Sequence, residues 1–537
     1  MNQTHRKSIN ILLAGLAAGS LFSANIWAQM PSVEDPNLAV RTVVSGLTTP
    51  ATMAFIGRND MLVLEKNTGK VKRVINGVVQ SVVLDLAVNT FSERGLLGIA
   101  LHPRFPKNPG VYLYWTCRSL TNTPDQTFPA QRRCSDANML GDDTGDGAAV
   151  PLLGNRVDRF VWNGTALKFD KNLIILRAFQ HDAGQPLRGN HNAGIILFGP
   201  EKQEAEGENE RDSGRVAEQA NHGREDGRDD ENEGQEQKSK LFIVIGDNGR
   251  RGQMQNLRNG PFGPGQPDDQ FGGPEPDDAH LTGVILRLND DGTTPSDNPF
   301  FRAGAQIGGE VGANIQKIFA YGVRNTFGMA FDPESGQLWM EQNGDDSFDE
   351  IDRVEASFNG GWVQTMGPVS RIKQWKEIET SPQFFGLQQI RWPPTLIADT
   401  PQEALARLFM LPGARYTDPL FSWKFAVPPA GIGFLDSDKL GDQYENNLFV
   451  GAATPNTVGG HLFRFKLSEN RRRLVFDDPR LQDGVADNAA KHDITESESL
   501  LFGRNFGVGT DIKTGPNGNL FVVSLSKGAI FEIFRHP

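Results

Sequence analysis

The stretch Gly328-Met329-Ala330-Phe331-Asp332-Pro333, followed by Gln337-Leu338-Trp339-Met340, decides the fold. A glycine opens a short apolar strand, a turn of Asp, Pro and Gly reverses it, and a second apolar strand follows. The same order recurs along the chain. Upstream it is Gly98-Ile99-Ala100-Leu101-His102-Pro103 with Val111-Tyr112-Leu113-Tyr114-Trp115. It returns as Gly194-Ile195-Ile196-Leu197-Phe198-Gly199-Pro200 with Leu241-Phe242-Ile243-Val244-Ile245. Downstream it is Gly431-Ile432-Gly433-Phe434 with Asn447-Leu448-Phe449-Val450, then Gly509-Thr510-Asp511-Ile512 with Asn519-Leu520-Phe521-Val522-Val523. A first copy, Met53-Ala54-Phe55 with Met61-Leu62-Val63-Leu64, lacks the leading glycine. Third strands such as Val284-Ile285-Leu286-Arg287-Leu288 and His461-Leu462-Phe463-Arg464-Phe465 follow in several copies. Six copies of a strand meander predict an all-β fold, a six-bladed β-propeller of four-stranded antiparallel blades with long loop insertions. The propeller is expected over residues 38–537, with the strand at 38–44 completing the last blade. An unrelated array of sandwiches is the alternative.

The composition agrees with this reading. In 537 residues there are 59 Gly and 32 Pro, which supply the turns between many short strands. Only 2 Cys are present, which excludes an all-cysteine zinc site. The formal charge of −12 disfavours a nucleic-acid groove binder and anionic lipid. Residues 201–240 hold 14 Asp/Glu against 7 Lys/Arg, so more than half of that charge lies in one insertion. So polar a segment cannot offset its ordering entropy, and disorder is expected there. At the other extreme, His5-Arg6-Lys7, an apolar stretch from Ile9 to Leu21 and Ile26-Trp27-Ala28 read as a signal peptide over 1–28. A membrane anchor is the alternative, but the apolar run is short for a span. The mature protein is therefore expected to be periplasmic or secreted, with no stable membrane span. An oxidising compartment allows a Cys117–Cys134 disulfide, free buried thiols being the other possibility.

Several motifs of chemistry are missing from the sequence, including Cys-x-x-Cys-His, His-Glu-x-x-His and the phosphate-binding glycine loops. Asp142-x-Thr144-x-Asp146-Gly147 begins like a calcium loop, but Leu153 stands where its last carboxylate is needed. Three other segments are specific. They are Ser92-Glu93-Arg94-Gly95-Leu96-Leu97-Gly98, Asn190-His191-Asn192-Ala193-Gly194 with Gly246-Asp247-Asn248-Gly249, and Tyr321-Gly322-Val323-Arg324-Asn325-Thr326-Phe327-Gly328. The last continues to Glu341-Gln342-Asn343-Gly344-Asp345-Asp346 and Asp349-Glu350-Ile351-Asp352. From residue 47 onward the chain resembles the soluble glucose/sorbosone dehydrogenase family. The resemblance implies a six-bladed propeller that oxidises an aldose or sorbosone-like sugar with pyrroloquinoline quinone (PQQ) and Ca²⁺. A separate electron acceptor would complete the cycle.

The resemblance also assigns residues. His191 matches the family's base, and an imidazole suits proton removal near neutral pH. The plainer reading is a loop histidine with a backbone partner. Arg324 and Asn325 match the pair near quinone and substrate, where a guanidinium stabilises charge developing on the quinone. An Arg paired with an acidic neighbour is the alternative. Glu93 falls where the family has a polar residue facing the site, or else it is a solvated turn residue. Asn343 and Gly344 fall where two backbone carbonyls meet the Ca²⁺. Asp345, Asp346 and Asp349 serve a structural Ca²⁺ or are simply solvated.

Two departures stand out. Asn190 replaces the Asp that family enzymes often carry before the base, so no carboxylate is expected to tune the imidazole. Near the C-terminus, Phe506-Gly507-Val508-Gly509-Thr510 lacks the family's two arginines, and the loop at 453–460 lacks its lysine. Burying PQQ carboxylates without cations is costly. A non-catalytic carbohydrate- or protein-binding propeller and a Ca²⁺-dependent lactonase-type hydrolase are therefore kept as alternatives.

Overall fold

A computed structural model describes residues 29–118, 150, 153–179, 189–200, 238–249, 256, 281–383 and 397–536. The signal segment, Cys134, the calcium-like loop start at 142–147 and most of the acidic insertion lie outside the described residues.

Six sheets form, one for each sequence copy. The first blade is Pro50–Gly57, Asp60–Glu65, Lys70–Ile75 and Val78–Asp85, each strand antiparallel to the next. The second is Leu96–Leu101, Gly110–Thr116, Asn155–Trp162 and Leu167–Leu176. Ile196–Phe198, Lys240–Ile245, Val284–Asn289 and Ile318–Tyr321 make the third. Met329–Phe331, Leu338–Gln342, Ser347–Val354 and Phe421–Phe425 make the fourth. The fifth is Pro429–Phe434, Leu448–Ala452, His461–Leu467 and Leu501–Arg504. The sixth takes Gly509–Thr514, Leu520–Ser524 and Ala529–Arg535, and Leu38–Val44 completes it from the other end of the chain. Extra short strands widen three of the blades: Phe358–Asn359 and Arg415–Tyr416 on the third, Val485–Ala486 on the fourth, and Ser32–Val33 with Leu474–Val475 on the fifth. The four-stranded expectation therefore describes the blade cores, not every sheet.

The first strands of the blades pack around a common axis in a closed ring. This explains the leading glycine of the repeat. A Cβ on Gly98 would lie 2.2 Å from the Gly194 carbonyl oxygen, and one on Gly328 would lie 2.7 Å from that of Ala430. Neighbouring inner strands approach too closely for any side chain there. Where the first copy lacks glycine, Asp511 of the sixth blade accepts hydrogen bonds from Thr52 Oγ1 (2.7 Å) and Met53 N (2.9 Å) and closes the ring. Between blades the core is aliphatic and aromatic. Leu62, Leu64, Leu113 and Trp115 fill the first gap, and Trp339, Trp423, Val450 and Phe463 another. Burying each such side chain contributes about 1.5–3 kcal/mol. Outside the blades a helix forms at Pro401–Arg407, where Thr400 Oγ1 caps the first turn by accepting from Glu403 N (3.2 Å).

Candidate active site

Antiparallel neighbours put the start of each inner strand and the end of each second strand on one face of the ring. Glu93 precedes Leu96–Leu101, His191 precedes Ile196–Phe198, and Arg324 and Asn325 precede Met329–Phe331. Asp247 follows Lys240–Ile245, and residues 343–346 follow Leu338–Gln342. Five separated sequence positions are thereby gathered at one face.

His191 is 4% exposed and Asp247 is fully buried. His191 Nδ1 lies 2.5 Å from Asp247 Oδ1. That carboxylate is itself held, with Oδ1 accepting from Gly249 N (2.7 Å) and Oδ2 from the Trp362 indole N–H (2.9 Å). A carboxylate on Nδ1 keeps the proton on that nitrogen and leaves the lone pair on Nε2. Gly246 permits the approach, because a Cβ there would lie 2.5 Å from the His191 carbonyl oxygen. His191 and Ala193 adopt φ of 57° and 50°, a left-handed conformation that costs non-glycine residues energy. Glu93 helps hold it, since its Oε2 accepts from His191 N (2.7 Å) and from Asn325 Nδ2 (3.2 Å).

The expectation of an imidazole without a carboxylate is thus overturned. Asn190 does not supply one, but Asp247 does from a different strand of the same blade. The signal was in the sequence: Gly246-Asp247-Asn248-Gly249 follows five consecutive buried apolar residues, so Asp247 sits where a strand ends at the ring face. Glu93 is also more than a solvated turn residue, because it bridges two of the other candidates.

Arg324 is 3% exposed. Its Nη1 donates to the Asn343 carbonyl (2.6 Å), its Nη2 to Asp345 Oδ1 (3.0 Å), and its guanidinium lies 5.4 Å from the Trp362 ring centroid. It is therefore both near His191 and paired with an acid. The Asn343 carbonyl, expected to face a cation, accepts from Arg324. Gly344 N donates to Asp349 Oδ1 (2.8 Å), and a Cβ on Gly344 would lie 1.9 Å from the Ser347 carbonyl oxygen. Asp346 and Asp349 are buried, so the solvated reading fails for both. Burial pushes the Asp349 carboxyl up to about 7.

The segments at 453–460 and 506–510 bring no cation, as their sequences require. Two lysines reach the site from elsewhere. Lys491 Nζ pairs with Asp346 Oδ1 and lies 3.4 Å from the Asp345 carbonyl oxygen. Lys66 Nζ donates to the Ser92 carbonyl (3.0 Å), and burial lowers its ammonium to about 8 against the attraction of Glu93. A cavity of about 780 Å³ runs through the ring, reached by residues of all six inner strands, with Lys66 and Glu93 in its lining. Its walls include Leu97, Ile99, Ile195 and Ile432. Cys117 is buried, and the partner expected for it lies outside the described residues.

Comparisons with known proteins point the same way. The quinoprotein glucose dehydrogenase B of Acinetobacter calcoaceticus is 25% identical over 66% of this chain and 60% of its own length. The aldose sugar dehydrogenase of Escherichia coli K12 is 26% identical over 55% of this chain and 57% of its own. The chain therefore matches less than two thirds of either relative. The solved apo-form structure of the soluble aldose sugar dehydrogenase from Escherichia coli shares the fold, with a TM-score of 0.55 at 20% identity, over 93% of this chain and 100% of that one. The family model described as glucose/sorbosone dehydrogenase matches residues 47–203 and 234–384. Those residues are more than half of the chain and include Glu93, His191, Asp247, Arg324 and Asn343, so the chain belongs to the glucose/sorbosone dehydrogenase family.

Proposed function

We propose that this chain oxidises a small sugar at the His191 face, with PQQ and Ca²⁺ as cofactors and a separate electron acceptor. The observation that carries the reading is the buried Asp247–His191 pair beside Arg324. The names of the two relatives support the sugar class and, for one, the quinone.

The residues present fit these groups. The Oδ1 atoms of Asn325 and Asn343 are buried with no hydrogen-bond partner. Such acceptors suit a hard cation or the hydroxyls of a sugar. Asn343 and Gly344 would hold Ca²⁺ through their carbonyls, with the Asn343 oxygen sharing its second lone pair. Arg324 and Asn325 would hold the quinone, and Lys66 and Lys491 would offset its carboxylates in place of the missing arginines and lysine. Bound PQQ would supply the acceptor for the hydride that leaves the sugar carbon.

The chain's own part is proton and charge control. His191 Nε2 takes the hydroxyl proton of the sugar, and Asp247 stabilises the imidazolium that results. Glu93 holds the His191 backbone and the Asn325 amide in one register. Arg324, always charged, offsets negative charge that develops beside it. Trp362 closes one side of both groups and donates its indole N–H to the Asp247 carboxylate. Residues 1–28 would direct export to the periplasm or medium. Among the described residues, no helix is long and apolar enough to cross a membrane.

The test is reconstitution of the purified protein with PQQ and Ca²⁺, followed by dye reduction across a panel of aldoses. Sugar-dependent reduction that is lost in His191→Ala supports the reading. Activity that survives His191→Ala refutes the base, and an absence of PQQ binding turns the assignment to a binding propeller.

A further inference from the structure

Beside the His191 face lies a second group of carboxylates. Asp345 and Asp346 follow the strand Leu338–Gln342, and Glu379 is the last residue of the helix Ile372–Glu379. One oxygen from each lies within 4.8 Å of the others. Glu379 is 1% exposed. Its Oε1 accepts from Ser347 Oγ (2.7 Å) and Asp346 N (3.2 Å), while its Oε2 is buried with no hydrogen-bond partner. A buried carboxylate oxygen without a donor is costly. Its position makes this worse, because a carboxylate at a helix C-terminus faces the negative end of the helix dipole.

Among the described residues, Arg324 pairs with Asp345 and Lys491 with Asp346, while Glu379 has no cation paired with it. The oxygen spacing also fits. Ca²⁺ binds oxygen at about 2.3–2.6 Å, so ligands on opposite sides of it lie about 4.6–5.2 Å apart. Oxygens within 4.8 Å of one another can share such a shell without moving the backbone.

We propose that Asp345, Asp346 and Glu379 form a Ca²⁺ site of the cofactor-free protein. It is separate from the Asn343–Gly344 carbonyls in its ligands, which are side-chain carboxylates from a ring loop and a helix. It also needs no quinone to complete it. Ca²⁺ there would tie the helix Ile372–Glu379 to the fourth blade and take Asp346 over from Lys491.

The experiment uses the full chain without PQQ, stripped with chelator. Tb³⁺ serves as a luminescent stand-in for Ca²⁺, excited through Trp375 on the same helix and Trp362, whose rings lie 6.4 Å apart. Expected are saturable Tb³⁺ emission, its displacement by Ca²⁺, and a Tm that rises with Ca²⁺ concentration. Glu379→Gln and Asp346→Asn should each weaken Ca²⁺ binding by about tenfold or more. The unaltered chain tests the idea even if a variant misfolds: no saturable Tb³⁺ or Ca²⁺ binding up to millimolar concentration, with circular dichroism reporting a folded protein, overturns it. Binding unchanged in both variants, each folded, overturns it as well.

Discussion

The site face is built by two regions that reach it differently. One is the ring, whose strand ends deliver Glu93, His191, Asp247, Arg324 and Asn325. The other is a pair of excursions that leave the far face between the third and fourth strands of a blade and climb back along its outside. The first excursion joins Ser347–Val354 to Phe421–Phe425, and its strand Phe358–Asn359 runs parallel to Ile318–Tyr321 of the neighbouring blade. That neighbour leads to Arg324, so a parallel companion travels to the same face and delivers Trp362 and Glu379. The second joins His461–Leu467 to Leu501–Arg504, and Val485–Ala486 runs parallel to Phe421–Phe425 on its way to Lys491. Ring residues sit at the ends of inner and second strands, the inner strand being held by a ladder on its outer side only. Excursion residues are fixed by two-residue strands and by side-chain contacts. The difference teaches a division of labour in which the ring places the reacting groups, and the excursions supply charge and cover.

The sharpest way to break this comparison is to remove ring groups. His191→Ala should lower kcat about 10²- to 10⁴-fold, and Asp247→Asn should approach that loss by spoiling the tautomer. Single-turnover dye reduction separates these losses from binding. If the two variants lose no more than an excursion variant, the division is wrong.

A ring lesion of stability should come next. Gly98→Ala forces a Cβ to within 2.2 Å of the Gly194 carbonyl oxygen, against backbone that cannot yield. A loss of about 1–3 kcal/mol in urea unfolding is expected. Gly413→Ala is the contrast: its ideal Cβ meets nothing within 4 Å, so only the cost of its positive φ of 88° remains.

That contrast also marks how much was legible in the sequence. Gly98, Gly194, Gly328 and Gly431 recur because inner strands crowd the same axis, so a physical constraint repeated in space is repeated in the sequence, while Gly509 keeps the repeat where a Cβ would meet nothing closer than 3.4 Å. His191, Arg324 and Glu93 were legible because each immediately precedes such a strand. Asp247 was missed as a partner because pairing across a blade depends on where a second strand ends, which no local spacing reveals. Glu379 and Lys491 were invisible as site residues for a stronger reason. Their excursions contain little regular pattern, and their route follows parallel pairings of one or two residues with strands of a neighbouring blade.

Trp362→Phe tests the excursion's hold on the ring. It removes the indole N–H from Asp247 and keeps the aromatic cover over Arg324. A hydrogen bond to a charged group contributes about 1.5–3 kcal/mol, so a fall in kcat of roughly 10-fold is expected. An unchanged pH–rate profile would show that the carboxylate's other partners, Gly249 N among them, suffice to hold it.

The smallest effect should appear at the seam between the regions. Glu350 and Asp352 are buried on a ring strand, share the Gln342 amide at 3.2 and 2.8 Å, and face Asp418 of the first excursion. Tyr416 donates to Asp418 Oδ1 (2.7 Å) from the same excursion. Burial, with Asp418 adding to it, pushes the Asp352 carboxyl up from 3.8 to about 7, and burial together with the Asp352 charge pushes Glu350 well above its usual range. The sign follows from proton counting. Below about 4 both folded and unfolded chains hold the Asp352 proton. Between there and about 7 the unfolded chain has released it while the folded chain retains it, so stability falls as pH rises through that window and levels above it. Urea unfolding should show a decline in the native chain of which Asp352→Asn removes a part on the order of 1–2 kcal/mol, Asp349 contributing to the rest. Hydrogen exchange should place the loosening at 355–383 and 415–420, because ionisation of Asp352 sets a like charge against Asp418 across the seam. Loosening in the inner strands instead would mean that the ring and the excursion unfold as one unit, and that the division between them is one of position and not of stability.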